Sequence, residues 1–292
     1  MLLFELPHSE IDWYWRTGLE YPLCAAFAAF AVFALGSCLG SFLNVCIWRI
    51  PRGESVVVAP SHCTSCGAEI RWFDNLPIIS YIVLRGRCRR CHAHYSPRYL
   101  IVEALTGLLF VAAFFKAAVT VQPPGVIASY WVMIMLAVSA AWIDAEHRII
   151  PDALTLPAMI FGVGFAALFP DVWGERSVVR AAAASFLSGL LPGAALLIFS
   201  LIGRRIARRD VLGFGDVKFI AAVGMLLGLT GALVSLLIAS FAGALTGCAI
   251  ALCRKQPLRG AAIAFGPFLA GGALVWVFFA AQLLELLTRR AI

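Results

Sequence analysis

Apolar runs dominate the chain. Eight of them, at 22–47, 98–121, 125–143, 153–170, 180–202, 212–229, 231–252 and 261–288, are long enough to cross a bilayer as helices, since a span takes about 17–25 apolar residues. Polar residues fall in short links between these runs, with one exception, the loop 48–97. The pattern predicts an all-α polytopic membrane protein of about eight transmembrane helices. A short polar segment, 1–21, precedes the first helix, 22–47. The loop 48–97 forms a small domain of its own, and 98–292 returns to the membrane. The sixth and seventh spans are joined only by Gly228-Leu229-Thr230-Gly231.

Composition agrees: 62% of the 292 residues are hydrophobic and 13% charged, against about 45–50% and about 25% in soluble domains. The net charge of +7 is therefore read through its distribution over the loops, and it implies no nucleic-acid partner. Sixteen of the Lys and Arg residues lie in 48–98, 144–151, 203–211 and 254–259, against six on the opposite side. The positive-inside rule makes the first set cytoplasmic and places both termini outside. Glu5, Glu10, Asp12 and Glu20 against the single Arg16 fit that orientation and are unlike a cleavable signal peptide. The first span is expected to act as an uncleaved anchor.

The loop 48–97 carries Cys63-Thr64-Ser65-Cys66 and Cys88-Arg89-Arg90-Cys91, two C-x2-C pairs separated by 21 residues. Four thiolates in two knuckles suit tetrahedral zinc, and a cytoplasmic loop disfavours disulfides. An iron–sulfur cluster is the main rival. Between the knuckles, Leu76–Leu84 is apolar but too short to span. It reads either as an interfacial element or as packing inside the cysteine module. In the first span, small residues recur from Gly36 to Ser41 and permit close helix packing. Asn44 there is read as a hydrogen-bonding contact between helices. Glu103 at the start of the second span is expected to pair with a loop arginine such as Arg98.

Two carboxylates stand apart. Asp144 ends the third span, where the negative end of the helix dipole disfavours an anion. Asp216 opens the sixth within Gly213-Phe214-Gly215-Asp216-Val217-Lys218. A cap for its helix would explain Asp216 alone. The two glycines next to it would permit unusual backbone angles or a close backbone approach. Asp152, in the first turn of the fourth span, is explained by the dipole. Asp144 and Asp216 fall at the same membrane edge. Carboxylates that share a site share a proton, so one can act as base and the other as acid. That chemistry cleaves an amide without metal or covalent intermediate.

These residues resemble the type IV prepilin peptidases, intramembrane aspartic proteases of the Gly-x-Gly-Asp type. Asp144 through Pro151-Asp152 and Gly213-x-Gly215-Asp216-x-Lys218 look like that family's active-site motifs. Gly40-Ser41-Phe42-Leu43-Asn44-Val45 through Arg49-Ile50-Pro51 resembles its first-span signature. The double Cys-x-x-Cys loop with Trp72-x-Asp74-Asn75-x-Pro77 through Ser80-Tyr81 resembles its cytoplasmic domain. The resemblance spans about residues 36–270. It implies an enzyme of the bacterial inner membrane that removes the basic leader of prepilins or pseudopilins at the cytoplasmic face. It further implies that the enzyme methylates the new N-terminus with S-adenosylmethionine, serving pili or type II secretion. The catalytic pair would be Asp144 and Asp216, supported by Gly213, Gly215, Lys218 and Asp152. Cys63, Cys66, Cys88 and Cys91 would hold one zinc. No glycine-rich nucleotide fold marks the methyl-donor site, and Gly86 is the only candidate for it. Glu103 or Glu146 could capture a basic leader.

Three rival readings remain: a presenilin-like Gly-x-Gly-Asp protease, which the cysteine loop opposes; a proton-coupled transporter; and a secretion-system scaffold. Both acids lie at one face of a bundle whose middle is nearly free of charge, which disfavours a relay. The oligomeric state is not legible.

Overall fold

The computed structural model describes residues 22–57, 61–120, 122–207, 212–254 and 264–289. The acidic segment 1–21, the basic residues 208–211 and most of the 254–259 loop lie outside the described residues. The helices are α1 (Pro22–Arg49), the short α2 (Ile79–Val83), α3 (Arg98–Val119), α4 (Pro124–His147), α5 (Asp152–Leu168), α6 (Val178–Ala207), α7 (Phe214–Arg254) and α8 (Gly266–Arg289). Among the described residues there is no strand, only the isolated bridges His62–Glu69 and Arg87–His94.

Six helices are long and apolar enough to cross a membrane, and α5, at 17 residues, is a shorter apolar one. The longest, α7, runs 41 residues but breaks at Gly228, whose φ of 82° and ψ of 166° are not helical. An unbroken helix of that length would be about 60 Å long, about twice the hydrocarbon core. The break divides α7 into the predicted sixth and seventh spans, so eight apolar helical segments are present. Other bounds differ by about a turn. The helix α4 continues to His147, so Asp144 lies in its last turn rather than at its final residue. The pair Gly266-Pro267, which reads in the sequence as a kink in the eighth span, instead begins α8, because proline is tolerated in a first turn where its N–H would be unused. The irregularity in α8 sits instead at Phe279.

The chain forms two compact units that divide at residues 122 and 123. In the first, α1 packs on α3 through glycine, and a Cβ on Gly36 would lie 2.9 Å from the Gly107 Cα. Asn44 holds the same pair as expected, its Nδ2 donating to the Tyr99 carbonyl at 3.0 Å. Glu103 does not pair with Arg98: its Oε2 accepts from the Ile78 N–H at 2.8 Å. Ile78 has φ 62° and ψ −52°, and Ile79 N donates to Pro77 O at 2.6 Å. That is a γ-turn of the rarer, strained hand, and Glu103 secures it from α3. Trp72, Ile79, Ile82 and Val83 all face outward, so the interfacial reading fits this element better than core packing.

In the second unit α7 is central, packed by α5, α6 and α8, and α8 also packs on α4. Phe219, Ile220, Val223, Leu269 and Val277 are fully buried between them. Lipid offers helices no hydrophobic reason to associate, so contact depends on close van der Waals fit. Glycines supply it: a Cβ on Gly162 would lie 2.8 Å from the Met225 carbonyl oxygen, and one on Gly224 would meet the Ser188 carbonyl oxygen and lie 2.7 Å from the Gly189 Cα. Replacing Gly224 by Ala is expected to destabilise the protein by about 1–3 kcal/mol. Ala at Gly164, whose Cβ would meet nothing within 4 Å, should cost under about 0.5 kcal/mol. Thermal unfolding of the two variants in one detergent compares them directly.

Candidate active site

Asp144 and Asp216 come together in the second unit. Both are buried, 5% and 8% exposed, and they are near enough for their charges to interact. Asp144 sits in the last turn of α4, where the unpaired carbonyls of its own helix repel an anion. The compensation comes from another helix. Gly266, the first residue of α8, donates its N–H to Asp144 Oδ2 at 2.7 Å, so the carboxylate rests on the positive end of α8. A Cβ at Gly266 would lie 2.7 Å from that same oxygen.

Asp216 occupies the third position of α7 and turns back to the residue before the helix. Its Oδ2 accepts from the Gly213 N–H, and its own N–H donates to the Gly213 carbonyl, both at 3.2 Å. The capping role is real and uses one oxygen. Among the described residues, no hydrogen-bond donor reaches Oδ1 of either acid. Two acids are thus each anchored by a helix N-terminus and retain one oxygen for other chemistry.

The neighbouring candidates arrange the helix ends. Neither Gly213 nor Gly215 has a positive φ, so backbone freedom is not their function. At Gly215 a Cβ would lie 2.9 Å from Ile150 Cβ and 3.0 Å from Ile150 O, so the α4–α5 link lies directly against it. The link starts at Arg148, whose φ of 58° closes α4 through an N–H bond to the Asp144 carbonyl. Asp152 and Lys218 form an ion pair with both oxygens 2.6 Å from Nζ, joining the first turns of α5 and α7. Lys218 also lies 4.5 Å from the centre of the Phe214 ring. An exposed pair of this kind adds under about 1 kcal/mol, so its effect is to fix position.

In the first unit, the Sγ atoms of Cys63, Cys66, Cys88 and Cys91 all lie within 4.8 Å of one another, with Cys63 and Cys91 at 3.8 Å. Four sulfurs about 2.3 Å from a tetrahedral ion are separated by about 3.8 Å, so the set fits a single metal ion. The two knuckles repeat one pattern: Cys63 N–H bonds to Ala68 O and Cys88 N–H to Ala93 O, both at 2.9 Å. Each contains a left-handed residue directly after its second cysteine, Gly67 (φ 68°) and His92 (φ 57°). The backbone N–H groups of Cys91 and Arg90 point at the Cys88 sulfur and pull its thiol down to about 6. Arg89 clamps the second knuckle to the turn Trp72–Asn75, with Nη2 2.6 Å and Nε 2.9 Å from the Asp74 oxygens. That guanidinium holds the Asp74 carboxyl below the usual range. Gly86 (φ 65°) lies against Tyr81, whose Oη would be 2.8 Å from a Cβ there.

The profile of the Bacterial Peptidase A24 N-terminal domain matches residues 34–117, and that of the Type IV leader peptidase family matches residues 131–248. A prepilin leader peptidase/N-methyltransferase of Burkholderia pseudomallei is 33% identical over 280 residues, covering 86% of this chain and 85% of that protein. The chain belongs to the type IV leader peptidase family. A relative of the same description from Xanthomonas campestris pv. campestris is 30% identical over 291 residues, 92% and 94% of the two chains. One from Myxococcus xanthus is 36% identical over 243 residues, and the chain spans 66% of that protein's length. No solved structure matches.

In this member of the leader peptidase family, the sequence pointed to both acids, Gly213, Gly215, Asp152, Lys218 and the four cysteines; the structure places the two acids near one another, gathers the cysteines and pairs Asp152 with Lys218, a contact the sequence did not foretell. The contact from Gly266 to Asp144 was not foreseen. It is made by a backbone N–H acting 122 residues from Asp144, and only the Gly-Pro pair at a helix start hinted at it. The cysteine set is expected to retain one metal ion per chain, counted by elemental mass spectrometry, and Cys63→Ser or Cys88→Ser should abolish it. Metal binding requires thiolates. Retention should therefore fall as the pH is lowered and the thiolates take up protons.

Proposed function

We propose that this chain is a prepilin leader peptidase of the bacterial inner membrane that also methylates the N-terminus it exposes. The observation that carries the reading is the pair of buried carboxylates, each tied through one oxygen to a helix N-terminal amide. In the active form one carboxylate is charged and the other protonated. The charged one takes a proton from water. Its oxygen then attacks the peptide carbon while the protonated acid polarises the carbonyl oxygen. The tetrahedral carbon collapses, the carbon–nitrogen bond breaks, and a proton passes to the leaving nitrogen. Asp144 and Asp216 are the catalytic pair, and no metal enters this step. Gly266 and Gly213 hold the two acids in place, and Gly215, Lys218 and Asp152 position the helices that carry them.

The substrate is a prepilin or pseudopilin. Its basic leader is retained in the cytoplasm by the same rule that orients the enzyme, and its cleavage site is presented at that membrane face. The names of the relatives support this substrate class and the second reaction. S-adenosylmethionine supplies the methyl group. The new amine's lone pair takes the methyl carbon as the carbon–sulfur bond breaks, and the amine's proton leaves to solvent. The cysteine set holds one structural zinc in this reading; the spacing of its sulfurs supports a single ion over a cluster of several irons. Glu103 is not available to capture a leader, since it is buried and engaged with Ile78.

Mass spectrometry of a prepilin incubated with the purified protein tests the reading. Asp144→Asn and Asp216→Asn should each lower the cleavage rate by about 10²–10⁴-fold with unchanged thermal unfolding. Cleavage that survives in both folded variants would falsify the aspartate mechanism. Gly266→Ala pushes on Asp144 and should lower the rate by about 10²-fold. Gly271→Ala, in the same helix with nothing within 4 Å of its Cβ, should leave it unchanged.

A further inference from the structure

The loop that carries the cysteine module leaves an apolar surface uncovered. Trp72, Phe73, Leu76, Ile79, Ile82 and Val83 are between 38% and 78% exposed. Ile79, Ile82 and Val83 stand three and four residues apart in α2 and so share one face. Ser80 turns the other way: it is buried, and its Oγ donates to the Phe73 carbonyl at 2.9 Å. The Trp72 and Phe73 rings meet edge to face, with centres 5.6 Å apart. Apolar exposure grouped in this way marks a protein or membrane contact.

The place of this face in the fold says which. Glu103, buried in α3, holds the Ile78 N–H at 2.8 Å. It lies about 7 Å along α3 from Arg98, where the helix begins. The helix itself is long and apolar enough to cross a membrane. The turn Trp72–Asn75 and α2 are therefore fixed beside the first turns of a span, where a bilayer presents its headgroups and outermost acyl carbons. Aromatic and aliphatic side chains at that level enter the boundary region.

The charge around the face selects among lipids. Residues 71–90 contain five arginines and a single acid, Asp74. Asp74 is taken up by Arg89, whose Nε lies 2.9 Å from it. The guanidiniums of Arg71 and Arg89 stand 5.8 and 5.7 Å from the centre of the Phe73 ring, so positive charge and aromatic surface coincide. Arg71, Arg89 and Arg90 border one cleft of about 430 Å³, together with Glu69 and Asp74. Arg71, Arg85, Arg87 and Arg90 are all exposed. Each basic side chain close to a bilayer favours anionic over neutral lipid, and the arginine fork matches phosphate oxygens.

We propose that the 72–83 face docks on the bilayer surface, its apolar side chains entering the acyl boundary while Arg71, Arg85, Arg87 and Arg90 bind the phosphates of anionic phospholipids. The cysteine module is then held to the membrane by lipid as well as by α1 and α3.

Hydrogen exchange of the full-length, metal-loaded protein in nanodiscs tests the docking without relying on turnover. In discs of phosphatidylcholine with phosphatidylglycerol, the amides of 72–84 should exchange about tenfold more slowly than in phosphatidylcholine alone. High salt should remove that difference. Ile82→Ser, at an exposed position, should speed exchange in both lipids. Arg71→Gln combined with Arg90→Gln should abolish only the gain from phosphatidylglycerol. Metal content and thermal unfolding check the fold of each variant, and the comparison of lipids and salt on the unmodified protein needs no variant. Equal exchange of the unmodified protein in the two lipids overturns the proposal. So does a phosphatidylglycerol effect that survives the loss of both arginines in a folded variant, or exchange that Ile82→Ser leaves unchanged. Protection that appears only when a second protein is added would assign the face to a protein partner and also overturn it.

Discussion

A carboxylate inside an apolar helix bundle has to find hydrogen-bond donors, and a helix interior has none to spare. Only helix N-termini carry unpaired N–H groups. Asp216 uses the start of its own helix. Asp144, at the end of its helix that disfavours it, borrows the start of α8. Much of the second unit follows from that requirement. The first residue of α8 has to lie against the last turn of α4, which excludes a side chain at Gly266. The link from α4 to α5 has to pass over Gly215. The Asp152–Lys218 pair then ties the beginnings of α5 and α7 together.

The first unit answers a different demand. Its two long helices are held by glycine contact and by Asn44, while its cysteine module leaves Trp72, Phe73, Leu76 and Ile79 exposed rather than gathered in a core of its own. Specific polar anchors take the place of that core. Asp74 and Arg89 tie the second knuckle to the preceding turn, and Glu103 secures the strained backbone at Ile78. A buried acid that first suggested leader binding is therefore a structural fastening.

What could be read in advance divides along physical lines. Bilayer thickness imposes a length on each apolar run, so the apolar segments were legible, down to the break at Gly228, although six helices among the described residues are long and apolar enough to cross a membrane. Helix ends were legible only to within about a turn, because a polar last turn such as Asp144–His147 carries no apolar signal. Metal ligands declare themselves by side-chain type and spacing, and all four cysteines converge. Backbone donors leave no such mark. Gly266 is one glycine among 25, and its partner is remote in sequence. Glu103 looked paired with Arg98 from proximity alone, yet a backbone N–H displaced by a γ-turn took its place. The capping and the chemical readings of Asp216 were posed as alternatives, whereas a carboxylate has two oxygens and can serve both.

The two cysteine knuckles are not equal. The first places glycine at its left-handed residue, where no Cβ opposes the conformation. The second places His92 there, and a side chain in that region carries a cost of about 1 kcal/mol. With metal bound, the four thiolates impose the same turn on both. Once the ion is withdrawn, the His92 turn has a reason to relax that the Gly67 turn lacks. Demetallation is therefore directional: the Cys88–Cys91 half loosens ahead of the Cys63–Cys66 half, and remetallation nucleates on the half already shaped to receive the ion.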